Sequence, residues 1–189
     1  MNRRRFLAGA AGAGAATLAV PWLTAASAAS DTDLAFANFG TAAEFLLKDF
    51  YTRAQAAKVV DARSNGALRH GRSASALHAK ALSALLVGAG DTAPAEEDFA
   101  FQWPNRTFAS VTSIATTGRT ILHAVLGLYQ TAAASATNPD YRVLYASLAA
   151  SLGQQLGALG ALAGGADTEP FPVALDLESA SDALQDYLG

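Results

Sequence analysis

TDLAFANFGTAAEFLLKDFYTRAQAAKVV, residues 32–60, decides the fold class. Wound at 3.6 residues per turn, it places Phe36, Phe39, Ala43, Leu46, Phe50, Ala54 and Ala57 on one face. The period-two alternation of a strand is absent. The stretch predicts one long amphipathic helix from Thr32 to Val60, with Asp31 or Thr32 capping its first turn through a side-chain oxygen. Glu44 and Tyr51, seven residues apart, share the flank of the apolar arc.

Working outward, three more helical patterns follow. Asp61 to Gly71 holds the turn Ser64-Asn65-Gly66. A second helix is expected from Ser73 to Val87, with Leu77, Ala81 and Leu85 inward and Gly88-Ala89-Gly90 as its stop. The link from Asp91 to Thr107 carries an acidic trio, Glu96-Glu97-Asp98, and the aromatic run Phe101-Gln102-Trp103-Pro104. Those aromatics imply that it packs back on the helices. A third helix, Phe108 to Ser135, carries the stripe Val111, Ile114, Gly118, Ile121, Val125, Leu128 and Ala132. Asn138-Pro139-Asp140 is a break and a cap. The fourth helix, Tyr141 to Ala163, turns Leu144, Leu148, Leu152, Gln155, Leu159 and Leu162 inward and stops at Gly164-Gly165. A tail with Pro170-Phe171-Pro172 leads to a short helix from Glu178 to Leu188. Two helices, a long crossing link and two more helices give an all-α, ferritin-like four-helix bundle with one crossover between helices 2 and 3 and a short C-terminal helix.

The other end of the chain reads as an address. Arg3-Arg4-Arg5 stands directly before Phe6-Leu7, an apolar stretch runs from Ala8 to Leu23, and Ala26-Ser27-Ala28 fits an A-x-A cleavage site. The arginine pair before Phe-Leu resembles a twin-arginine signal, which carries folded cargo out of the cytoplasm. The chain is therefore expected to divide into a signal, residues 1–28, and a helical domain, residues 29–189. Its destination is then the periplasm, cell envelope or extracellular space. The apolar stretch is short, rich in Gly and Ala, and broken by Pro21, so no stable membrane span is expected after cleavage.

Composition narrows the function. Hydrophobic residues make up 51% of the chain and charged ones 15%, too apolar for disorder. The formal charge is −3, and three of the 13 basic residues lie in the leader, so the mature domain is more acidic still. Nothing resembles a nucleic-acid-binding stripe. Cys is absent, which excludes disulfides, thiolate nucleophiles and Cys-based metal sites. No serine stands in evident relation to a His and an acid, so no hydrolase triad is expected.

Glu44 followed by Phe50-Tyr51-Thr52-Arg53-Ala54, then Leu77-His78, the aromatic link from Phe101 to Phe108, Gly127-Leu128-Tyr129 and the tail from Phe171 to Leu188 form an ordered set. It resembles the exported ferritin-like domain family over nearly the whole mature chain. The resemblance implies a di-iron pair at mid-bundle, held by a Glu on helix 1, Glu-x-x-His on helix 2, a Glu on helix 3 and Glu-x-x-His on helix 4. Carried over, Glu44 matches the helix 1 ligand and Tyr51 the tyrosine that backs it. The helix 2 pair becomes Ser75 and His78, the helix 3 glutamate becomes Leu122, and helix 4 offers only Gln154 and Gln155.

Between Asp61 and Asp91, between Asp98 and Asp140, and between Asp140 and Asp167 there is no Asp or Glu. Helices 2, 3 and 4 thus have no carboxylate in their bodies, whereas two irons need several anionic donors. The expectation is a domain that has lost its di-iron centre, with no catalytic residue and no cofactor. Glu44 and His78 would be relics of the metal site, with Tyr51 and Gln155 bonded around them. Glu44 is expected to be partly buried and to bond Tyr51, His78 or Gln155, and Gln155 to pair with Glu44 or His78. His70 is read as peripheral and His123 as exposed. Such a domain would serve as a structural or binding module, meeting a protein partner or another copy through a helix face. The alternative is a residual metal-binding or iron-oxidising protein, ferroxidase-like, holding a single iron or other divalent metal on Glu44 and His78.

Overall fold

Ser30, one residue ahead of the expected cap, starts the first helix. Its Oγ accepts from Asp33 N at 3.1 Å, and Asp33 Oδ2 accepts from Ser30 N at 3.3 Å, so two otherwise orphaned donors are satisfied reciprocally. The computed structural model describes residues 29–62, 64–165 and 172–188. The leader residues Arg3, Arg4, Arg5, Phe6, Leu7, Ala26 and Ala28, and the Pro170-Phe171 part of the tail, lie outside the described residues. Five α-helices and no strand occur among those described: α1 (Asp31–Ala56), α2 (Asn65–Gly88), α3 (Val111–Ser135), α4 (Pro139–Leu162) and α5 (Leu177–Leu188), with a 3-10 turn at Glu96–Asp98. The expected all-helical bundle with a short C-terminal helix is what the chain forms.

Contacts fix the directions. Glu44 meets His78 on α2 and Tyr129 on α3, whereas further along α1 Phe50 and Tyr51 meet Gly71 on α2 and Gly118 on α3. Both α2 and α3 therefore run antiparallel to α1. Phe36 meets Tyr145 edge to face and Tyr51 reaches Gln155, so α4 runs parallel to α1, diagonally across the bundle. The pairs α1–α2 and α3–α4 are hairpins, and residues 89–110 carry the chain back along the bundle between them. This is the single-crossover connectivity. Trp103 anchors that link: its Nε1 donates to Asp49 Oδ2 at 2.8 Å, and its ring lies 5.7 Å from Phe50 and 5.2 Å from Phe108. Lys48 pairs with Glu96 at the acidic turn.

The stripes of α1 and α3 are buried as expected, apart from the half-buried ends Ala57 and Val111. Helix α2 departs from expectation. It begins at Asn65, not Ser73, because the chain turns earlier, with Lys58 in the left-handed region (φ 56°) and Asp61 Oδ1 holding Ser64 N at 2.9 Å. Leu77 is 66% exposed, not inward. The buried row is Leu68, Gly71, Ser75, Ala79, Leu82 and Leu86, with Leu85 buried beside it as expected. Its small members let α2 approach α1: a Cβ on Gly71 would lie 2.4 Å from Tyr51 Cζ. On α4, Asn138 Oδ1 caps Asp140 N at 2.9 Å, and Tyr141 and Tyr145 join the expected row.

Candidate functional site: a buried polar layer

Within the apolar core, polar side chains from all four long helices gather over two adjoining levels, one at Glu44 and one at Tyr51, about two turns further along α1. Glu44 of α1 is fully buried, not at the flank of its arc. Its Oε1 accepts from Tyr129 OH of α3 at 3.0 Å and lies 3.1 Å from His78 Nδ1 of α2. Tyr129 fits because Gly40 lies opposite, where a Cβ would stand 3.0 Å from the Tyr129 ring. One turn before His78 on the buried side of α2 comes Ser75, and one turn before that Gly71, against Tyr51. Tyr51 OH donates to Gln155 Oε1 of α4 at 2.8 Å.

The four residues singled out in the sequence thus form two pairs, Glu44–His78 and Tyr51–Gln155. The Glu44–His78 pair is one of the bonds expected for Glu44, whereas the expectation for Gln155 is corrected: it pairs with Tyr51, not with Glu44 or His78. The reason is register: α2 carries His78 to the level of Glu44, and the parallel diagonal helix α4 carries Gln155 to the level of Tyr51. Tyr129 was not foreseen as a member, whereas Ser75 stands where the resemblance put a helix 2 ligand position. A tyrosine inside an apolar row was the available signal, since its buried hydroxyl needs a partner. His70 is exposed as expected, but His123 is half-buried, not exposed, because α3 is enclosed on most sides.

Burial, and secondarily the Glu44 carboxylate, push the Tyr51 phenol well above its ordinary range. The same causes act on Tyr129, reinforced by its hydrogen bond to Glu44. Both phenols are therefore held protonated as donors. Three buried polar atoms of the layer have no protein partner: Glu44 Oε2, Ser75 Oγ and Gln155 Nε2.

This donor set does not fit a pair of iron ions. The layer offers one carboxylate and one imidazole, and Glu44 Oε1 already serves both Tyr129 and His78. Leu122, carried over to the helix 3 ligand position, is fully buried hydrocarbon. No group of three or more His, Cys, Asp or Glu that could hold a metal occurs among the described residues. Two divalent ions in a dry core would be left far short of compensating charge. Beside the layer, a cleft of about 210 Å³ opens between α2 and α4, with Tyr51 and Gln155 among its lining residues. No described helix is long and apolar enough to cross a membrane.

The model of the ferritin-like domain matches residues 32–165. The chain belongs to the ferritin-like domain family. No curated protein matches it. In this ferritin-like chain the match runs from the start of α1 to the end of α4, so it spans every helix that contributes to the polar layer.

Proposed function

We propose that this ferritin-like chain has lost the di-iron centre and works as a structural or binding module in the cell envelope, exported folded by the twin-arginine route. One observation carries the reading: Glu44 is the only carboxylate in the polar layer, and the other three long helices bring an imidazole, hydroxyls and an amide. Replacing buried ligands by leucine and serine removes charge that must otherwise be compensated. The domain meets a protein partner, or another copy, through a helix face.

Metal analysis of the purified chain, followed by anaerobic iron(II) titration, tests the reading. No stoichiometric metal should co-purify and no saturable iron binding should appear. A second reading has one observation in its favour. Glu44 Oε2 lacks a partner, and with His78 it could hold a single iron or other divalent ion in a ferroxidase-like protein. Tight one-to-one binding that is abolished in Glu44→Ala would establish this second reading in place of the first.

A further inference from the structure

We propose that this chain associates head to tail with further copies of itself, the basic outer face of α2 in one copy seated on the acidic outer face of α5 in the next. Charge is segregated along the sequence. Between Asp61 and Asp91 every charged residue is Lys or Arg, and after Arg142 every charged residue is Asp or Glu.

The fold carries the two sets to different sides of the molecule. Helix α2 packs on α1 and α4 through its buried row and exposes Arg69, Arg72 and Lys80. Helix α5 lies on α3 and α1, buries Ala180 and Leu184, and exposes Glu178, Asp182 and Asp186. Among the described residues, Arg72 and Lys80 pair with no carboxylate, and Glu178 and Asp186 pair with no cation.

The two faces match in length. Arg72 and Lys80 stand eight residues apart, as do Glu178 and Asp186, so each pair spans about 12 Å of helix. Each face also has an exposed apolar side chain beside it, Leu77 on α2 and Val173 just ahead of α5, which contact would remove from water. The net acidity of the chain repels copies at long range. At about 0.15 M salt that repulsion is screened beyond roughly 8 Å, which leaves the attraction between touching faces as the larger effect. Because the two faces differ, a contact between two copies leaves one face of each kind open, and growth continues past the dimer.

This deepens the reading of the domain as a binding module by naming the partner, yet the two fail separately. Metal uptake would overturn the loss of the iron centre and leave self-association untouched. Sedimentation velocity of the full chain over a concentration series is the test. At about 50 mM NaCl the average mass should rise with concentration beyond that of a dimer, and at about 500 mM the association should weaken by roughly tenfold or more. Arg72→Glu with Lys80→Glu should abolish association, and so should Glu178→Lys with Asp186→Lys, while circular dichroism shows the helices retained. The milder pair Arg72→Gln with Lys80→Gln should weaken it. Mixing the two charge-reversed variants sets opposite charges across the contact again and should restore association. A chain that stays monomeric, a mass that stops at the dimer, indifference to salt, a helical charge-reversed variant that associates like the parent, or a mixture of the two that stays monomeric would each overturn the proposal.

Discussion

Glu44 has two unequal oxygens. Oε1 accepts from Tyr129 and pairs with His78, while Oε2 meets no partner. Tyr129→Phe removes a hydrogen bond to a buried carboxylate, so it should lower stability by about 1–3 kcal/mol in urea denaturation. Tyr51→Phe breaks a bond to a neutral amide and should be the milder change, about 0.5–1.5 kcal/mol. Glu44→Gln keeps an acceptor oxygen for both neighbours and removes the charge, exchanging an unpaired acceptor for an unpaired donor. Its stability should stay within about 1 kcal/mol of the parent. A much larger loss would mean that the layer needs a negative charge, and would turn attention to a cation. The family resemblance grouped Glu44, Tyr51 and His78, and Gln155 stood out as the polar member of an otherwise apolar helix row. The sequence could not pair them, because pairing depends on how far each helix slides past the next.

At the scale of the elements, helical glycines divide into two kinds. A Cβ on Gly118 would lie 2.5 Å from Leu159 Cδ1 and 2.6 Å from Phe50 Cζ, both in the core where α1, α3 and α4 meet. Gly118→Ala should therefore cost about 1–3 kcal/mol through overpacking, less the better helix propensity of alanine. On α4 a Cβ at Gly153 or Gly157 would meet nothing within 4 Å. Alanine there should stabilise the chain by up to about 1 kcal/mol each, which thermal unfolding would read as a raised Tm. Equal responses at Gly118 and Gly153 would refute the packing described for α3. The same distinction explains how much of the fold could be read from sequence. The stripes of α1 and α3 are built from Phe, Leu, Ile and Val, and hydrophobic weight finds them. The buried side of α2 includes Gly71, Ser75 and Ala79, whose burial reflects close helix approach, so an apolar reading selected Leu77 from the exposed side. Asn65-Gly66 likewise reads as a turn locally, yet burial of Leu68 draws it into the helix.

Over the whole molecule, the crossover link and the C-terminal segment close the bundle together. Gln102 N donates to Tyr187 O at 2.9 Å, Trp103 lies 5.7 Å from Tyr187, and Leu175 N donates to Gly127 O at 3.0 Å. A Cβ on Gly127 would stand 2.4 Å from the backbone oxygen of Val173, so the tail needs that bare stretch of α3. With that side covered, the tyrosines remain in a dry interior, which gives stability a distinct pH dependence. Burial, and then neighbouring carboxylate charge, raise the phenols of Tyr51, Tyr129 and Tyr145 far above their ordinary range. In the unfolded chain each releases its proton near pH 10. Below that pH both states hold the proton and the contribution to stability is complete. Above it the unfolded chain binds fewer protons than the folded one, so stability falls as pH rises. Each such phenol should contribute a slope of about 1.4 kcal/mol per pH unit once the unfolded form is ionised. Urea unfolding between pH 9 and 11.5 would measure the descent, and Tyr145→Phe should reduce its steepness by one phenol's share. An unchanged slope in that variant would mean that Tyr145 ionises as readily in the folded chain as in the unfolded one, and its place in a sealed interior would have to be abandoned.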